Sequence, residues 1–296
     1  MRLIYRPHNL YCIHLDAKAP PESVQAISTL FSCYPSNIIV VPDNQRISVH
    51  WGYFSVLQSA LLCTRLLLHH QTIGWRYMLN INEKEFPLRT NWELVSALKA
   101  LNGSNMIEGI PGGQFADRFP KANLSFNVAW TKGSFLIAAR REFLQFALTD
   151  PRALEILKAM KAEEHVRKIQ DELFFSTLAY SPELGAPGSC RLIHPPSSSD
   201  PRSWFLVRYV NWDTADCPSM VAVHGICIFG VRDIPILVRQ PHLFANKFLP
   251  TFQPVAYDCM EQWLEQKLIA ERSFHRLDPQ FNATLFANLY CSREHI

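Results

Sequence analysis

Strand-like and helix-like segments alternate along residues 9–81, and this order restricts the fold more than any other feature of the sequence. The strand-like segments are "NLYCIHLD", "NIIVV" and "WRYMLNI", which are rich in β-branched and aromatic residues or continuously apolar. The segments between them, "PESVQAISTLFSCY" and "YFSVLQSALLCTRLLLHH", have the length and apolar spacing of helices. A β-α-β-α-β order predicts a parallel sheet with helices on both faces.

The ends of these strands are the first candidates for a ligand site, because ligands of such sheets bind beyond the carboxyl ends of the strands. Asp16 follows the first predicted strand, and Pro42 and Asp43 follow the second. The segment "NEKEFP" at 82–87 follows the third.

The order of elements changes from about residue 105 onward. Short strands are predicted in "NMIEGI", "LSFNVAW" and "SFLIAAR", followed by helices from Glu142 into "KIQDELFFSTLAYSP" at 168–182. After the Pro/Ser-rich loop "HPPSSSDPRS", further strands are predicted in "WFLVRYVNW" and "MVAVHGICIFGV", and a last amphipathic helix in "YDCMEQWLEQKLIAE". No repeat or clear linker interrupts the chain, which favours one mixed α/β domain over residues 1–296.

Composition excludes some classes of protein and leaves the compartment open. A chain of 296 residues with 48% hydrophobic and 19% charged residues can bury a sizeable core, and a net charge of +3 with scattered basic residues does not indicate a nucleic-acid partner. No segment has the apolar length of a membrane span or signal peptide, which taken alone predicts a soluble, untargeted chain. Eight cysteines and sequons at Asn102, Asn123 and Asn282 have a physical role only in a secretory lumen, but sequons also arise by chance, so the residues alone leave both compartments open.

Several common catalytic motifs are absent from the sequence. It contains no G-x-G-x-x-G after a strand, no P-loop, no G-x-S-x-G, no C-x-x-C and no H-E-x-x-H. His69 and His70 end a predicted helix and are interpreted as solvated or dipole-paired side chains, with metal ligation as the alternative. Asp-x-Asp is also missing, so a sugar-nucleotide enzyme built from this sequence would need cationic side chains in place of a metal.

Asp171 and Glu172 stand directly before an apolar helix-like run. The pattern alone predicts favourable acids in the first turn of a helix, with Asp171 at the capping position. A general base is the alternative for one of the two.

Several segments together resemble the Golgi β-1,6-N-acetylglucosaminyltransferases of the core 2 and I-branching type, the Branch-domain glycosyltransferases. They run in the family's order from about residue 3 to 270: "IYRPHNLYCIHLDAKA", "NIIVV", "WGYFSVLQSALLC", "WRYMLNINEKEFPLRTNWELVSALK", "GSFLIAARREF", "DELFFSTLAYSPELGAPGS", "CIFGVRDIPILV" and "HLFANKF". The resemblance implies a GT-A-like, Rossmann-related mixed sheet flanked by helices in a single catalytic domain. Within it, a nucleotide-binding half is expected at 1–104, an acceptor-binding and catalytic half at 105–275, and a tail at 276–296.

The resemblance also implies a reaction and a location. The family transfers N-acetylglucosamine from UDP-GlcNAc, with inversion and without a metal or other cofactor, to a galactose or N-acetylgalactosamine hydroxyl of an O-glycan on a glycoprotein, forming β-1,6 branches. It works on the lumenal side of the Golgi membrane. A catalytically inactive sugar-binding or interaction protein with the same fold is the alternative, since some positions depart from the family pattern.

For catalysis and the donor, the resemblance assigns residues one by one. Glu172 matches the catalytic glutamate of the family's "DE" pair, Asp16 matches a nucleotide-contacting aspartate, and Lys247 in "HLFANKF" matches a diphosphate-binding lysine. His224 stands where the family has a second diphosphate-binding arginine, and a mostly neutral histidine is a poor replacement. Arg232 is the nearby substitute.

The acceptor side departs further from the pattern. Glu108 in "MIEG" and Trp212 in "RYVNWDT" match a sugar-contacting glutamate and a tryptophan that stacks on the acceptor. Arg118 is the nearest candidate for the basic positions that follow the glutamate. Thr214 replaces a tyrosine, and Glu85 in "NEKEFP" replaces the aspartate of the family's "CGMDFP".

The cysteines and the start of the chain complete the expectations. The resemblance pairs Cys12 with Cys63 and Cys217 with Cys227, with buried free thiols as the alternative. Partners for Cys33 and Cys259 would lie upstream of this chain, and Cys190 and Cys291 have no counterpart in the family. Family members carry a cytoplasmic tail, a signal anchor, a stem and a first sheet strand before "IYRPHNLYC". We therefore expect a truncated chain without its anchor or first strand, one that folds poorly or is inactive by itself.

Overall fold

The structure is a computed structural model and describes residues 3–34, 37–192 and 200–296. The chain divides into two compact units. The unit named here the N-terminal unit comprises Arg6–Leu79, Gly103–Pro196 and Glu294–Ile296, and the C-terminal unit comprises Met1–Tyr5, Asn80–Asn102 and Ser197–Arg293. The single domain and the boundaries near residues 104 and 275 stay predictions.

Short strands and longer helices alternate along the chain, giving a mixed α/β protein. The strands are β1 (Tyr11–Ile13), β2 (Ile38–Val40), β3 (Tyr77–Leu79), β4 (Glu85–Pro87), β5 (Ile110–Pro111), β6 (Thr131–Lys132), β7 (Ala138–Arg140), β8 (Arg208–Val210), β9 (Ala222–Val223), β10 (Ile226–Cys227) and β11 (Phe244–Asn246). The helices are α1 (Pro21–Ser32), α2 (Phe54–His69), α3 (Asn91–Ala100), α4 (Arg141–Thr149), α5 (Pro151–Lys161), α6 (Phe174–Ala179), α7 (Ile234–Leu237), α8 (Pro254–Phe274), α9 (Thr284–Ala287) and α10 (Tyr290–Arg293).

The first β-α-β unit is confirmed. Strands β1 and β2 are parallel, with Tyr11 opposite Ile38, and α1 connects them. Pro21 opens α1, where its missing N–H would have no helical partner and its fixed φ suits the helix. A disulfide between Cys12 and Cys63 joins β1 to α2, as the resemblance implied. This crossover places Asp16 three residues after the end of β1.

The prediction that the third strand extends the parallel sheet of β1 and β2 is wrong. Strand β3 pairs antiparallel with β7, with Met78 opposite Ala139. The predicted strand at 124–130 is also wrong, because this segment contains none and β6 begins only at Thr131. The amide and hydroxyl of Ser125 in that segment both donate to the Glu155 carboxylate at 2.6 Å, so a side chain replaces a strand partner.

The C-terminal unit is built on a mixed three-stranded sheet in which β11 is antiparallel to β4 and parallel to β8. Its core joins residues from these strands to the α8 helix, and its largest buried members are Phe86, Leu88, Phe229, Leu237, Phe248, Met260 and Leu264. Strands β9 and β10 form a hairpin, and the disulfide between Cys217 and Cys227 lies at its base, as implied by the resemblance.

The prediction that Asp171 caps a helix is wrong. Residues Gln170–Glu172 form a short 3-10 turn, and α6 begins only at Phe174. Leu173 occupies the position before α6, and no side chain caps either turn. Asp171 is instead buried, and its Oδ1 atom has no hydrogen-bond partner among the described residues.

The four remaining cysteines are in two different states. Cys190 and Cys291 are also disulfide-bonded, whereas Cys33 and Cys259 are free thiols.

Within the described ranges, every helix is too short or too polar to cross a membrane. Part of the predicted loop "HPPSSSDPRS" lies outside the described residues.

Candidate active site

Two cations hold the Glu172 carboxylate in the N-terminal unit. Arg118 Nη1 donates to Glu172 Oε2 at 2.9 Å, and Lys132 Nζ lies 3.7 Å from the same oxygen. The Glu172 side chain is 27% exposed, so solvent or a ligand can reach it. Because both cations contact Oε2, they fix the carboxylate orientation and leave Oε1 as the oxygen available to a bound group.

The backbone around Glu172 is held firmly on both sides. Ile169, which begins the 3-10 turn, has φ 52° and ψ 47°, a left-handed conformation that is rare for a β-branched residue. Its amide donates to the Gly52 carbonyl at 2.8 Å. The Glu172 carbonyl accepts a 2.7 Å hydrogen bond from the Gly133 amide. Strained backbone of this kind persists only where its surroundings over-determine it, and it clusters at functional sites.

Close packing at Gly133 places the backbone of Glu108 near that of Glu172. A Cβ atom on Gly133 would lie 2.1 Å from the Glu108 carbonyl oxygen and 2.1 Å from Ser176 Oγ, so only glycine fits. Strand β6 with Lys132 pairs antiparallel with β5, where Lys132 is opposite Ile110. Glu108 therefore lies beside the segment that carries Lys132, and of the predicted site residues the structure brings Glu172, Arg118 and Glu108 together.

Sequence reasoning missed Lys132. Its only signal is its position one residue before Gly133 in "TKGSF", which resembles any exposed strand end. Its proximity to Glu172 depends on the pairing of β5 with β6, and local periodicity does not specify that pairing. The guanidinium of Arg118, a predicted site residue, lies 4.8 Å from the centre of the Phe115 ring, a cation–π contact that restricts its position.

Asp171 lies in a different environment from its neighbour. Burial, and then the negative charge of Glu172, raise the pKa of Asp171 to about 7. Near neutral pH its carboxyl group is therefore partly protonated, and it adds less negative charge beside Glu172 than an exposed aspartate would.

Replacing Asp171 by Asn is expected to stabilise the protein at pH 8 and to change little at pH 4. The native pKa of about 7 exceeds the roughly 3.9 of an unfolded aspartate, so the native state binds more protons and stability falls as pH rises between these values. The difference corresponds to up to about 4 kcal/mol above pH 7. Urea unfolding at both pH values measures it. The exposed Glu164→Gln is the control, and a pH-independent effect of Asp171→Asn would contradict the prediction.

Asp16, the predicted nucleotide contact, is half-exposed after β1. Its Oδ2 lies 2.8 Å from Lys18 Nζ and accepts from the Val49 amide at 3.3 Å. Partial burial would raise the pKa of Asp16, but the hydrogen bonds from Lys18 and Val49 together lower it below its usual value. Asp16 is thus a charged acceptor at the strand end where the sheet geometry predicted one.

In the C-terminal unit, Lys247 directly follows β11 and is partly buried. Its carbonyl accepts a 2.9 Å hydrogen bond from the Phe229 amide, which connects it to the chain that leaves the β9–β10 hairpin. Burial, and then the positive charge of Lys84, lower the pKa of Lys247. His224 is exposed in the hairpin turn with φ 54°, and Arg232 is exposed further along the same segment.

Trp212 and Glu85 occupy opposite environments of the same unit. Trp212 is 64% exposed in a turn after β8, where Asn211 Oδ1 accepts from the Asp213 amide. Such exposure of a large aromatic ring suits stacking on a sugar.

Glu85 is buried, and its Oε1 lies 2.6 Å from Arg208 Nη2. Burial raises the pKa of Glu85 to about 7, although the positive charge of Arg208 opposes this.

Other predicted positions are distributed over the surface. The sequon residues Asn102, Asn123 and Asn282 are all exposed. His69 ends α2, and its Nδ1 donates to the Arg65 carbonyl at 2.7 Å. Among the residues that the structure describes, His, Cys, Asp and Glu side chains do not gather in groups of three or more that could hold a metal ion.

Comparison with known proteins identifies the family. The model of the family described as Branch, core-2/I-branching enzyme, matches residues 1–238. A mouse (Mus musculus) N-acetyllactosaminide β-1,6-N-acetylglucosaminyl-transferase is 32% identical over 291 residues, which cover 90% of this chain and 69% of the relative. The human protein of the same name is 32% identical over 88% of this chain and 66% of its own length.

A zebrafish (Danio rerio) relative has a different acceptor in its name. It is the β-1,3-galactosyl-O-glycosyl-glycoprotein β-1,6-N-acetylglucosaminyltransferase 4, 29% identical over 92% of this chain and 67% of its own length. The chain thus spans about two thirds of the length of these relatives. With a family match over most of its residues and relatives along nearly all of them, the chain belongs to the core-2/I-branching enzyme family.

Proposed function

We propose that this chain transfers N-acetylglucosamine from UDP-GlcNAc to a galactose or N-acetylgalactosamine hydroxyl of an O-glycan, forming a β-1,6 branch with inversion at the sugar carbon. The observation that carries the proposal is the partly exposed Glu172 carboxylate, held through Oε2 by Arg118 and Lys132. The names of the relatives, which are β-1,6-N-acetylglucosaminyltransferases, support the reaction class.

The reaction assigns one role to Glu172. As the acceptor oxygen attacks the anomeric carbon, its proton moves to Glu172 Oε1, and the bond from that carbon to the diphosphate oxygen breaks. UDP leaves with the electron pair of that bond. Arg118 and Lys132 keep Oε2 fixed during the transfer, so Oε1 stays in one position.

The donor diphosphate needs positive charge, which we propose that Lys247 supplies without a metal ion. Its partial burial removes competing water and strengthens its interaction with phosphate. Asp16 is proposed to accept hydrogen bonds from the nucleoside, since its hydrogen-bonded carboxylate is charged and partly exposed. A GT-A-like arrangement of the whole chain is part of the same proposal.

For the acceptor, we propose that Glu108 binds sugar hydroxyl groups and that the exposed ring of Trp212 stacks on a sugar face. The two disulfides Cys12–Cys63 and Cys217–Cys227 support an oxidising compartment, and we propose the Golgi lumen. The exposed sequons are then accessible to glycosylation.

A transfer assay on the chain, secreted from eukaryotic cells with its disulfides formed, tests the proposal. UDP-GlcNAc is offered with a core O-glycan disaccharide or N-acetyllactosamine, in excess chelator. We expect a β-1,6-linked product by mass spectrometry and NMR, at a rate that chelator does not change. The same assay is run on an N-terminally extended version, and absence of turnover by that version with every acceptor would overturn the proposed reaction. Activity lost on chelation but restored by a divalent cation would overturn the metal-free mechanism alone.

A sugar-binding protein without catalysis is the second candidate. His224 favours it, because an exposed histidine stands where the resemblance places a diphosphate-binding arginine. UDP-GlcNAc and acceptor would then bind in calorimetry without any transfer.

A further inference from the structure

Lys84 directly precedes β4 and Lys247 directly follows β11, at the same end of the β4–β11 pair. The antiparallel register places Asn246 opposite Glu85, so the next residues outward are Lys247 and Lys84. The Phe248 amide donates to the Lys84 carbonyl at 2.9 Å, which holds the two chains together at this point. Neither periodicity nor the resemblance singled out Lys84.

Two like charges in this arrangement are unfavourable by themselves. Like charges on neighbouring chain segments repel each other, and after burial the charge of Lys84 contributes most to lowering the pKa of Lys247, ahead of the opposing effect of Glu83. The acidic partner is weak, because Glu83 Oε1 lies 3.5 Å from Lys84 Nζ with a carboxylate that is 76% exposed. In the described part of the chain, Lys247 forms no ion pair. An anion of charge two or more would relieve the repulsion between the lysines.

The surroundings supply further donors. Phe248, next to Lys247, packs against Tyr257 in the first turn of α8, with ring centres 5.1 Å apart. The Tyr257 hydroxyl is buried and has no hydrogen-bond partner among the described residues. The α8 helix has no side-chain cap and no acidic residue in its first turn. Pro254 has no N–H and the Ala256 amide donates to the Gln253 carbonyl at 2.8 Å, so the helix contributes the positive end of its dipole.

We propose that Lys84 is a second diphosphate-binding residue, which together with Lys247 binds the two phosphates of the nucleotide-sugar donor. The inference rests on the proposed function for the identity of the anion. It gives the diphosphate two cations in a chain that has His224 where a family arginine is expected. Lys84 stabilises the charge that develops on the departing UDP, and Lys247 does so from the end of β11.

Calorimetry with UDP, uridine and inorganic pyrophosphate tests the proposal on the full chain. Lys84→Met is expected to weaken UDP and pyrophosphate binding by roughly 10-fold or more and to change uridine binding by less than about twofold, because only the phosphates contact the ammonium group. The dependence of UDP affinity on salt concentration should also become shallower. Lys84→Arg, which keeps the charge, should recover most of the affinity.

Lys99→Met is the matched control, since Lys99 is an exposed lysine in α3 of the same unit. The proposal is overturned if Lys84→Met binds UDP within about twofold of the wild type, if Lys99→Met loses as much affinity, or if the wild-type chain binds neither UDP nor pyrophosphate. UDP binding that depends on Lys84 without any sugar transfer would overturn the proposed reaction but leave this inference intact. Sugar transfer by the wild type, together with unchanged UDP affinity in Lys84→Met, would overturn this inference but leave the proposed reaction intact.

Discussion

Replacing Glu172 by Gln is expected to lower kcat for GlcNAc transfer by roughly 10²- to 10⁴-fold, the usual contribution of a general base. Glutamine has the same shape and can still accept a hydrogen bond from Arg118, so the site should keep its structure. Its side chain cannot take the acceptor proton, which then has to leave to water. Affinity for UDP-GlcNAc should change little, because the lost group acts on the acceptor hydroxyl.

Initial rates over a range of donor and acceptor concentrations separate these effects. Glu164→Gln is the matched control, since this glutamate is exposed and lies eight residues earlier in the same unit. A thermal melt close to that of the wild type establishes that both variants are folded. If kcat of Glu172→Gln stays within about tenfold of the wild type, Glu172 is not the base.

Replacing Arg208 by Met is expected to lower the free energy of unfolding by about 3–5 kcal/mol, the cost of removing one partner of a buried ion pair. The Arg208 and Glu85 side chains are 2% and 1% exposed, and they lie 2.6 Å apart. Methionine fills much of the space of arginine but leaves Glu85 buried without a counter-charge. Because Glu85 then has to bind a proton to stay buried, the loss should be larger at pH 8 than at pH 5.

Urea unfolding at both pH values measures the loss, and the double variant Glu85→Gln/Arg208→Met tests its cause. Removing both charges should recover a large part of the stability, since no unpaired charge is left in the core. Asp43→Asn is the control, because the Asp43 carboxylate is 79% exposed in its pair with Arg46 and should contribute under about 1 kcal/mol. A double variant as unstable as Arg208→Met alone would indicate that lost packing, and not an unpaired carboxylate, causes the effect.

The sequence predicts the elements of this fold better than their partners. The β1-α1-β2 unit is foreseen because its alternation is local and a parallel crossover follows from it. The pairing of β3 with β7, and of β11 with β4 and β8, joins segments far apart in the chain, and no local pattern specifies it. The segment at 124–130 alternates like a strand, but Glu155 takes its hydrogen bonds.

The residues of the candidate site show the same difference between local pattern and strand pairing. Glu172 is predicted because it stands in a segment that resembles the family, and Arg118 because it is the nearest basic candidate after Glu108. The structure places Glu172 and Arg118 in contact. Lys132 and Lys84 acquire their positions only through strand pairing, so one-dimensional reasoning passed over both. The sequence also does not indicate that Asp171 is buried, because two adjacent acids are typical of a solvated first helical turn. In the structure, the 3-10 turn directs Asp171 inward.

No side chain fits at Gly133, and this affects which parts of such a protein can change in evolution. Main-chain atoms of Gly133 meet the backbone of Glu108 and Glu172 directly, so the spacing of these segments does not depend on the size of neighbouring side chains. Substitutions that accumulate around them can alter which sugar reaches the carboxylate without displacing the carboxylate itself. Exposed side chains of this unit can therefore vary while the Glu172 carboxylate keeps its place.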